Sequence, residues 1–428
     1  TTATQESAKG RVEGASMSGA HPHDSSPQYL RQPSGAHQPV NNGWDNSGGW
    51  DDGGQIEPAP EQSVSAYASG GLLTQLLEIA ESEDASDLHL TAGAPPVLRI
   101  NGKLVPVEAK IMSPDDTEAA LRQILSDRDM DRFYEHRAID CTHTTPDGKG
   151  RFRVSAYVQR GAVTVVYRRI PSDVKPFNSL GLPPACAKLH TLKDGMVLCV
   201  GPTGCGKSTT LATIIDQINE NFNYNIITIE DPIEFVHRHK RSLVNQRELY
   251  SDTNTFQEAL HFALREDPDV IMVGEMRDLE TMRTAITAAE TGHLVLSTLH
   301  AIDSISTIDR MCAMFPTEEQ EYVRMQLSMV LRAVIAQRLI PTKNEMSRVM
   351  CAEFMLVTPG VANMIRQGQP ALIYQAMETG ASVGMVSFDK QLVALARKGI
   401  IDPDLAVRQA RHQKGVADAL GRTASLRT

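Results

Sequence analysis

"GPTGCGKSTT", residues 201–210, decides the fold. Its spacing matches G-x-x-x-x-G-K-[ST], with Gly201, Gly206, Lys207 and Ser208 at the fixed positions. The preceding "MVLCV" (196–200) is a short apolar run of buried-strand type, and "STTLATIIDQI" continues as a helix with an apolar stripe. A glycine loop between a strand and a helix start aims backbone N–H groups and the helix dipole at an anion. The expected nucleotide-binding set is Gly201, Pro202, Thr203, Gly204, Cys205, Gly206, Lys207, Ser208 and Thr209, with a nucleoside triphosphate as ligand. Lys207 is expected at the β- and γ-phosphates, and the Ser208 hydroxyl is the expected Mg²⁺ ligand. Cys205 is read as a loop filler. A helix N-terminus lowers thiol pKa values, but phosphoryl transfer at such loops works by positioning and electrostatics, without a covalent step.

A phosphate loop needs partners at the ends of neighbouring strands. In "NIITIEDPIEF" a β-branched strand (226–229) delivers Glu230, Asp231 and Glu234 just past its end, and Pro232 stops regular continuation. Carboxylates there hold Mg²⁺ through water and orient or deprotonate an attacking water. Taken alone, the set reads equally well as a solvated acidic turn. "DPDVIMVGEMRD" is a fully apolar strand (270–273) ending in Gly274-Glu275. It resembles a Walker B strand with Gly in place of the usual Asp, which makes Glu275 the candidate carboxylate. "TGHLVLSTLHA" is a third strand (294–298) with His293 and His300 at its two ends. Two histidines seven apart without further ligands are a weak zinc signal. A γ-phosphate sensor fits His300 better, whereas His293 reads equally as an ordinary histidine.

The 428-residue chain is long enough for two or three domains. Residues 1–69 are rich in Gly, Ser, Pro, Gln and Asn and are expected to be disordered, both tryptophans (Trp44, Trp50) included. The net charge is −10, of which residues 1–70 carry −5 (3 Lys/Arg against 8 Asp/Glu), leaving −5 for the rest. That is no footprint of nucleic-acid binding. Scattered cysteines without C-x-x-C pairs argue against a paired-cysteine zinc site and a disulfide framework. No apolar run approaches a membrane span, and the polar N-terminal stretch has no signal-peptide core, so a cytoplasmic protein is expected. Met17 is a candidate native start.

Residues 70–171 read as a small α+β domain. "GLLTQLLEIAESE" is an amphipathic helix, and "PVLRINGKLVPV" is a hairpin around Asn101-Gly102. "SPDDTEAALRQIL" opens on Ser113 as cap with Pro114 and Asp116 behind it, and "RFRVSAYVQRGAVTVVYRRI" gives two strands broken at Gly161. Residues 172–180 form a proline-marked linker running into a helix. Residues 181–428 are expected to be an α/β domain around a mostly parallel sheet, with helices dominating beyond about Glu318.

Together "GPTGCGKSTTL", "ITIEDPIEFVH", "LVNQRE", "ALREDPDVIMVGEMRDLET" and "AAETGHLVLSTLHA" resemble the secretion-ATPase superfamily, and within it the PilT-type pilus retraction ATPases. The likeness runs from Gly71 to the C-terminus and includes "ASDLHLTAGAPPVLRINGK". It implies a PAS-like domain before a RecA-like ATPase domain, assembled as a homohexamer on the cytoplasmic face of the inner membrane. There it would drive type IV pilus retraction, with the inner-membrane pilus platform protein and a paralogous retraction ATPase as partners. It implies that Glu234 positions the water, that Glu275 is the Walker B carboxylate, and that His300 and His293 sense the γ-phosphate. It also implies that Arg153 and Arg168 reach the nucleotide from the first domain. Two positions depart from the family pattern: His261 replaces an Arg in "ALHFALRED", and Ala362 replaces an Arg in "GVANMIR". An accessory PilU-type ATPase and a related secretion ATPase stay open as alternatives, with a nucleic-acid motor behind them.

Overall fold

Two β-sheets organise residues 71–148, 150–170, 174–344 and 347–422, which the computed structural model describes. The low-complexity segment 1–69 lies outside them. The first sheet has six strands: β1 (Asp87–Thr91), β2 (Val97–Ile100), β3 (Lys103–Pro106), β4 (Ala138–Thr144), β5 (Arg151–Gln159) and β6 (Ala162–Ile170). They run in the order β3-β2-β1-β6-β5-β4, antiparallel throughout. Three helices pack with it: α1 (Leu72–Ser82), α2 (Pro114–Arg122) and α3 (Asp127–His136).

Local sequence explains these elements. In α1, Leu73, Leu76, Leu77 and Ala80 recur at helical spacing and are the buried face. Asn101 and Gly102 take the left-handed backbone that a two-residue hairpin turn between β2 and β3 requires (φ 50° and 81°). Ser113 caps α2 in a complete capping box, its hydroxyl accepting from the Asp116 N–H and the Asp116 carboxylate accepting from the Ser113 N–H. Leu77, Leu88, Phe133, Phe152 and Tyr167 fill the core beneath the sheet. The outer strand β3 is exposed along its whole length.

The second sheet has seven strands: β7 (Gly195–Val200), β8 (Asn225–Glu230), β9 (Leu243–Glu248), β10 (Val270–Val273), β11 (Leu294–Leu299), β12 (Leu331–Pro341) and β13 (Arg348–Leu356). Their order is β13-β12-β7-β11-β10-β8-β9, parallel except for the antiparallel edge strand β13. Alternate residues of β7 feed two cores: Met196, Leu198 and Val200 on one face, Val197 and Cys199 on the other. Such two-sided burial is why the central strand is apolar without a break. The helices around it are α4 (Lys207–Asn221), α5 (Phe256–Ala263), α6 (Leu279–Glu290), α7 (Ser304–Ala313) and α8 (Gln320–Val330). The chain then continues through α9 (Pro359–Arg366), α10 (Pro370–Thr379), α11 (Phe388–Arg397), α12 (Pro403–Gln409) and α13 (Gln413–Ala419). No helix among the described residues is long and apolar enough to cross a membrane.

Two elements correct the sequence reading. Beyond about Glu318, where helices were expected to dominate, β12 and β13 complete the second sheet. "LRAVIAQRLIP" is rich in good helix formers, but it is buried between β7 and β13, and that setting overrides propensity. The helix expected after the linker is a 3₁₀ helix, Pro184–Thr191.

Candidate nucleotide site

All the parallel strands of the second sheet point the same way, so their carboxyl ends lie along one edge. Register fixes the row: Val200 pairs with Leu299, Ser297 with Val273, and Val273 with Ile229. The residues that follow these ends are the phosphate loop after β7, His300 after β11, Gly274-Glu275 after β10 and Asp231 after β8. They border a cavity of ≈ 330 Å³ lined by Lys207, Ser208, Glu230, Asp231, Glu234, Glu275 and His300, among others.

The phosphate loop is built by its glycines. Gly206 caps α4 in the left-handed region (φ 94°), so the helix starts on Lys207 with its free N–H groups open to the cavity. Gly201 has φ 147°, and a Cβ there would meet the Gln337 carbonyl at 2.4 Å and Cys205 Sγ at 2.7 Å. The loop thus leans on β12 too closely for any side chain. Lys207 Nζ donates to the carbonyls of Gly201 and Pro202 (3.0 and 3.2 Å). This cradle of free N–H groups, one lysine and a hydroxyl fits a polyphosphate. Cys205 is 2% exposed, and burial pushes its thiol pKa up, the opposite of an activated nucleophile.

The carboxylates occupy different settings. Glu275 sits between two bases: Oε2 is 2.9 Å from Arg277 Nη2, and Oε1 is 3.2 Å from His300 Nε2. Burial alone would raise its pKa, but the Arg277 hydrogen bond, with His300, Arg277 and Lys207 nearby, holds the carboxyl below its usual value. Gly274 is explained by contact: a Cβ there would lie 3.2 Å from the Ile229 carbonyl and 3.4 Å from Glu230 Cα. Glu230 is 7% exposed and accepts from the Thr228 hydroxyl (2.7 Å) and the Gln246 amide (3.0 Å). Burial raises its pKa despite those donors. Asp231 and Glu234 are exposed on the cavity wall. Gln246 braces the loop that carries them, donating to the Phe235 carbonyl (2.8 Å) and accepting from the His237 N–H (2.7 Å).

The structure separates two candidates, His293 and Arg168, from this group. His293 precedes β11, at the opposite end of the strand from the cavity, where its Nδ1 lies 2.9 Å from the Ala288 carbonyl. Arg153 and Arg168 are cross-strand partners on β5 and β6, but only Arg153 lines the cavity. Arg168 is bound to Asp87 at 2.8 Å. Sequence reasoning missed Gln246 and Arg277. Both stand in blocks that carry the resemblance, Gln246 in "LVNQRE" and Arg277 two residues after Glu275 in "DPDVIMVGEMRD", but nothing in those blocks gave either a role.

A parallel sheet whose strand ends carry a phosphate loop, acidic residues and a histidine in one row defines a P-loop nucleotide-binding protein. The chain belongs to the type II/IV secretion system protein family, whose sequence profile matches residues 69–388. It is 45% identical over 339 residues to the type IV pilus retraction ATPase PilT of Pseudomonas aeruginosa, covering 79% of this chain and 98% of that protein. To the type IV pilus ATPase PilU of the same organism it is 40% identical over 337 residues, covering 78% and 88%. A crystal structure of the pilus retraction motor PilT with bound ADP aligns with a TM-score of 0.74 at 41% identity, covering 79% of this chain and 96% of that one.

Proposed function

We propose that this chain is a motor ATPase that hydrolyses ATP to power type IV pilus retraction. The observation that carries the reading is the row of strand ends, which sets the phosphate loop, Glu275, His300 and the acidic loop around one cavity. The identity to PilT over most of both chains supports the pilus role. Lys207 and the N–H groups at the start of α4 bind the β- and γ-phosphates. Mg²⁺, held with the Ser208 hydroxyl, would offset phosphate charge as it develops. Glu275, kept ionised by its two basic neighbours, faces that region. Glu234 is exposed and no cation among the described residues pins it, which suits the residue that orients the attacking water. Glu230, buried and hydrogen-bonded, supports the loop, and Arg153 adds positive charge from the other sheet.

In this reading the six-stranded sheet is a PAS-like domain (70–171), followed by a linker (172–180) and a RecA-like ATPase domain (181–428). Six copies form a ring at the cytoplasmic face of the inner membrane, against the pilus platform protein. The departures at His261 and Ala362 favour one second reading, an accessory PilU-type ATPase acting beside a paralogue. Two measurements test the proposal. The purified chain should hydrolyse ATP with Mg²⁺, and Lys207→Ala should abolish turnover, because it removes the one loop cation at the phosphates. Deleting the gene should leave surplus pili that do not retract. Unchanged turnover in Lys207→Ala refutes the site, and unchanged piliation refutes the role in retraction.

A further inference from the structure

Glu248, the last residue of β9 and of the "LVNQRE" block, has no role assigned from sequence, yet three elements converge on its carboxylate. The side chain is 5% exposed. Oε1 accepts from the Thr142 hydroxyl of β4 at 2.7 Å. Oε2 accepts from Arg151 Nη2 of β5 at 2.5 Å and from the backbone N–H of Ile233 at 3.2 Å. Arg151 also donates to Thr142 Oγ1 at 3.3 Å, which closes the cluster. Ile233 stands in the acidic loop, between Asp231 and Glu234. Arg151 and Arg153 lie two apart on β5 and therefore on one face, and Arg153 lines the nucleotide cavity.

From this arrangement we propose that Glu248 is a positioning residue for hydrolysis: its carboxylate transmits the placement of the six-stranded sheet, through Thr142 and Arg151, to the loop that carries Glu234. The proposal rests on the ATPase reading. Its physical basis is burial. A nearly desolvated carboxylate is stable only while its charged and hydroxyl donors remain, and removing one side leaves an uncompensated charge. If the six-stranded sheet moves away, the carboxylate keeps only the Ile233 amide. Its lowest-energy response is to turn toward water, which releases the acidic loop. The link is reciprocal, so nucleotide that fixes the loop also favours the sheet position that supplies Arg151. Arg153 travels on the same strand, and one movement therefore removes a cation from the cavity and loosens the water-positioning loop.

The test compares full-length wild type with Thr142→Val, Arg151→Lys, Arg151→Ala and Glu248→Gln. The readouts are steady-state ATP hydrolysis, affinity for a fluorescent ATP analogue, melting temperature, and hydrogen exchange of the peptide containing Ile233. Thr142→Val keeps side-chain shape and touches neither the loop nor the cavity. It should lower kcat by about 10- to 100-fold, the scale of a misplaced catalytic group, with KM and analogue affinity changed less than about twofold on the same argument. It should also speed exchange at Ile233, as should Glu248→Gln. Arg151→Lys should recover part of the rate lost in Arg151→Ala. Unchanged kcat and exchange in Thr142→Val and Arg151→Ala overturn the proposal. So does a fall of kcat that merely tracks a lower melting temperature. Wild type that fails to hydrolyse ATP would sink the ATPase reading, and exchange at Ile233 would still decide the coupling.

Discussion

In the proposed site Glu234 and Glu275 would take different roles. Glu275 is flanked by Arg277 and His300, whereas Glu234 is exposed on the cavity wall, which suits it to orient water in the proposed reaction. Glu234→Gln should keep nucleotide binding and cost about 10²-fold in turnover, the usual scale for a general base. Single-turnover kinetics check this, and an unchanged rate would move the role to Glu275. Glu230 behaves differently. Burial raises its folded-state pKa above the ordinary 4.5, so the folded protein holds this proton more tightly than the unfolded chain. The stability this contributes is complete below pH 4.5 and is lost as pH rises through the folded value. Glu230→Gln should therefore melt at or above the wild-type temperature at neutral pH, with the gap closing in acid, as thermal melts across pH would show. At this scale much of the site was legible. Catalytic groups follow their strands as the phosphate loop follows its own, which also shows why His300 faces the cavity and His293, preceding the same strand, does not. That Glu248, Thr142 and Arg151 form one cluster was not legible, because only the packing of one sheet on the other brings them together.

At the scale of elements, strength of local signal decided what could be read. The Asn101-Gly102 hairpin, the Ser113 cap and the β7–loop–α4 unit each rest on one or two residues with few alternative conformations, and each is found where the sequence puts it. β12 and β13 were missed because their residues suit helix or strand alike, and the choice is made by the neighbouring β7. That choice has a functional side, since β12 supplies the Gln337 carbonyl against which Gly201 packs. Gly201→Ala would press a methyl group into backbone, and strain of about 1–3 kcal/mol would be relieved by shifting the loop. Nucleotide affinity should fall about tenfold or more with little change in melting temperature, as a fluorescent-nucleotide titration beside a thermal melt would show.

Across the whole molecule, the nucleotide cavity draws its wall from both sheets, through Arg153 on one and the strand ends on the other. Arginines brought to a P-loop from another domain or subunit are worth about 10³–10⁵ in turnover where measured. Arg153→Ala should therefore keep ATP binding and lose most of the hydrolysis rate. Specific activity should rise with protein concentration if neighbouring copies complete the site. Full activity in a dilute monomer would exclude that. The exposed strand β3 bears on the same crowding. Its outer side offers unpaired backbone groups, a template on which another copy could lay a strand and seed aggregates. Lys103 opens the strand with a charge and Pro106 closes it with no N–H to give, so Leu104 and Val105 alone remain between them. Two residues are too few to nucleate a shared sheet, and copies of the chain can be gathered at high local density without this edge fusing.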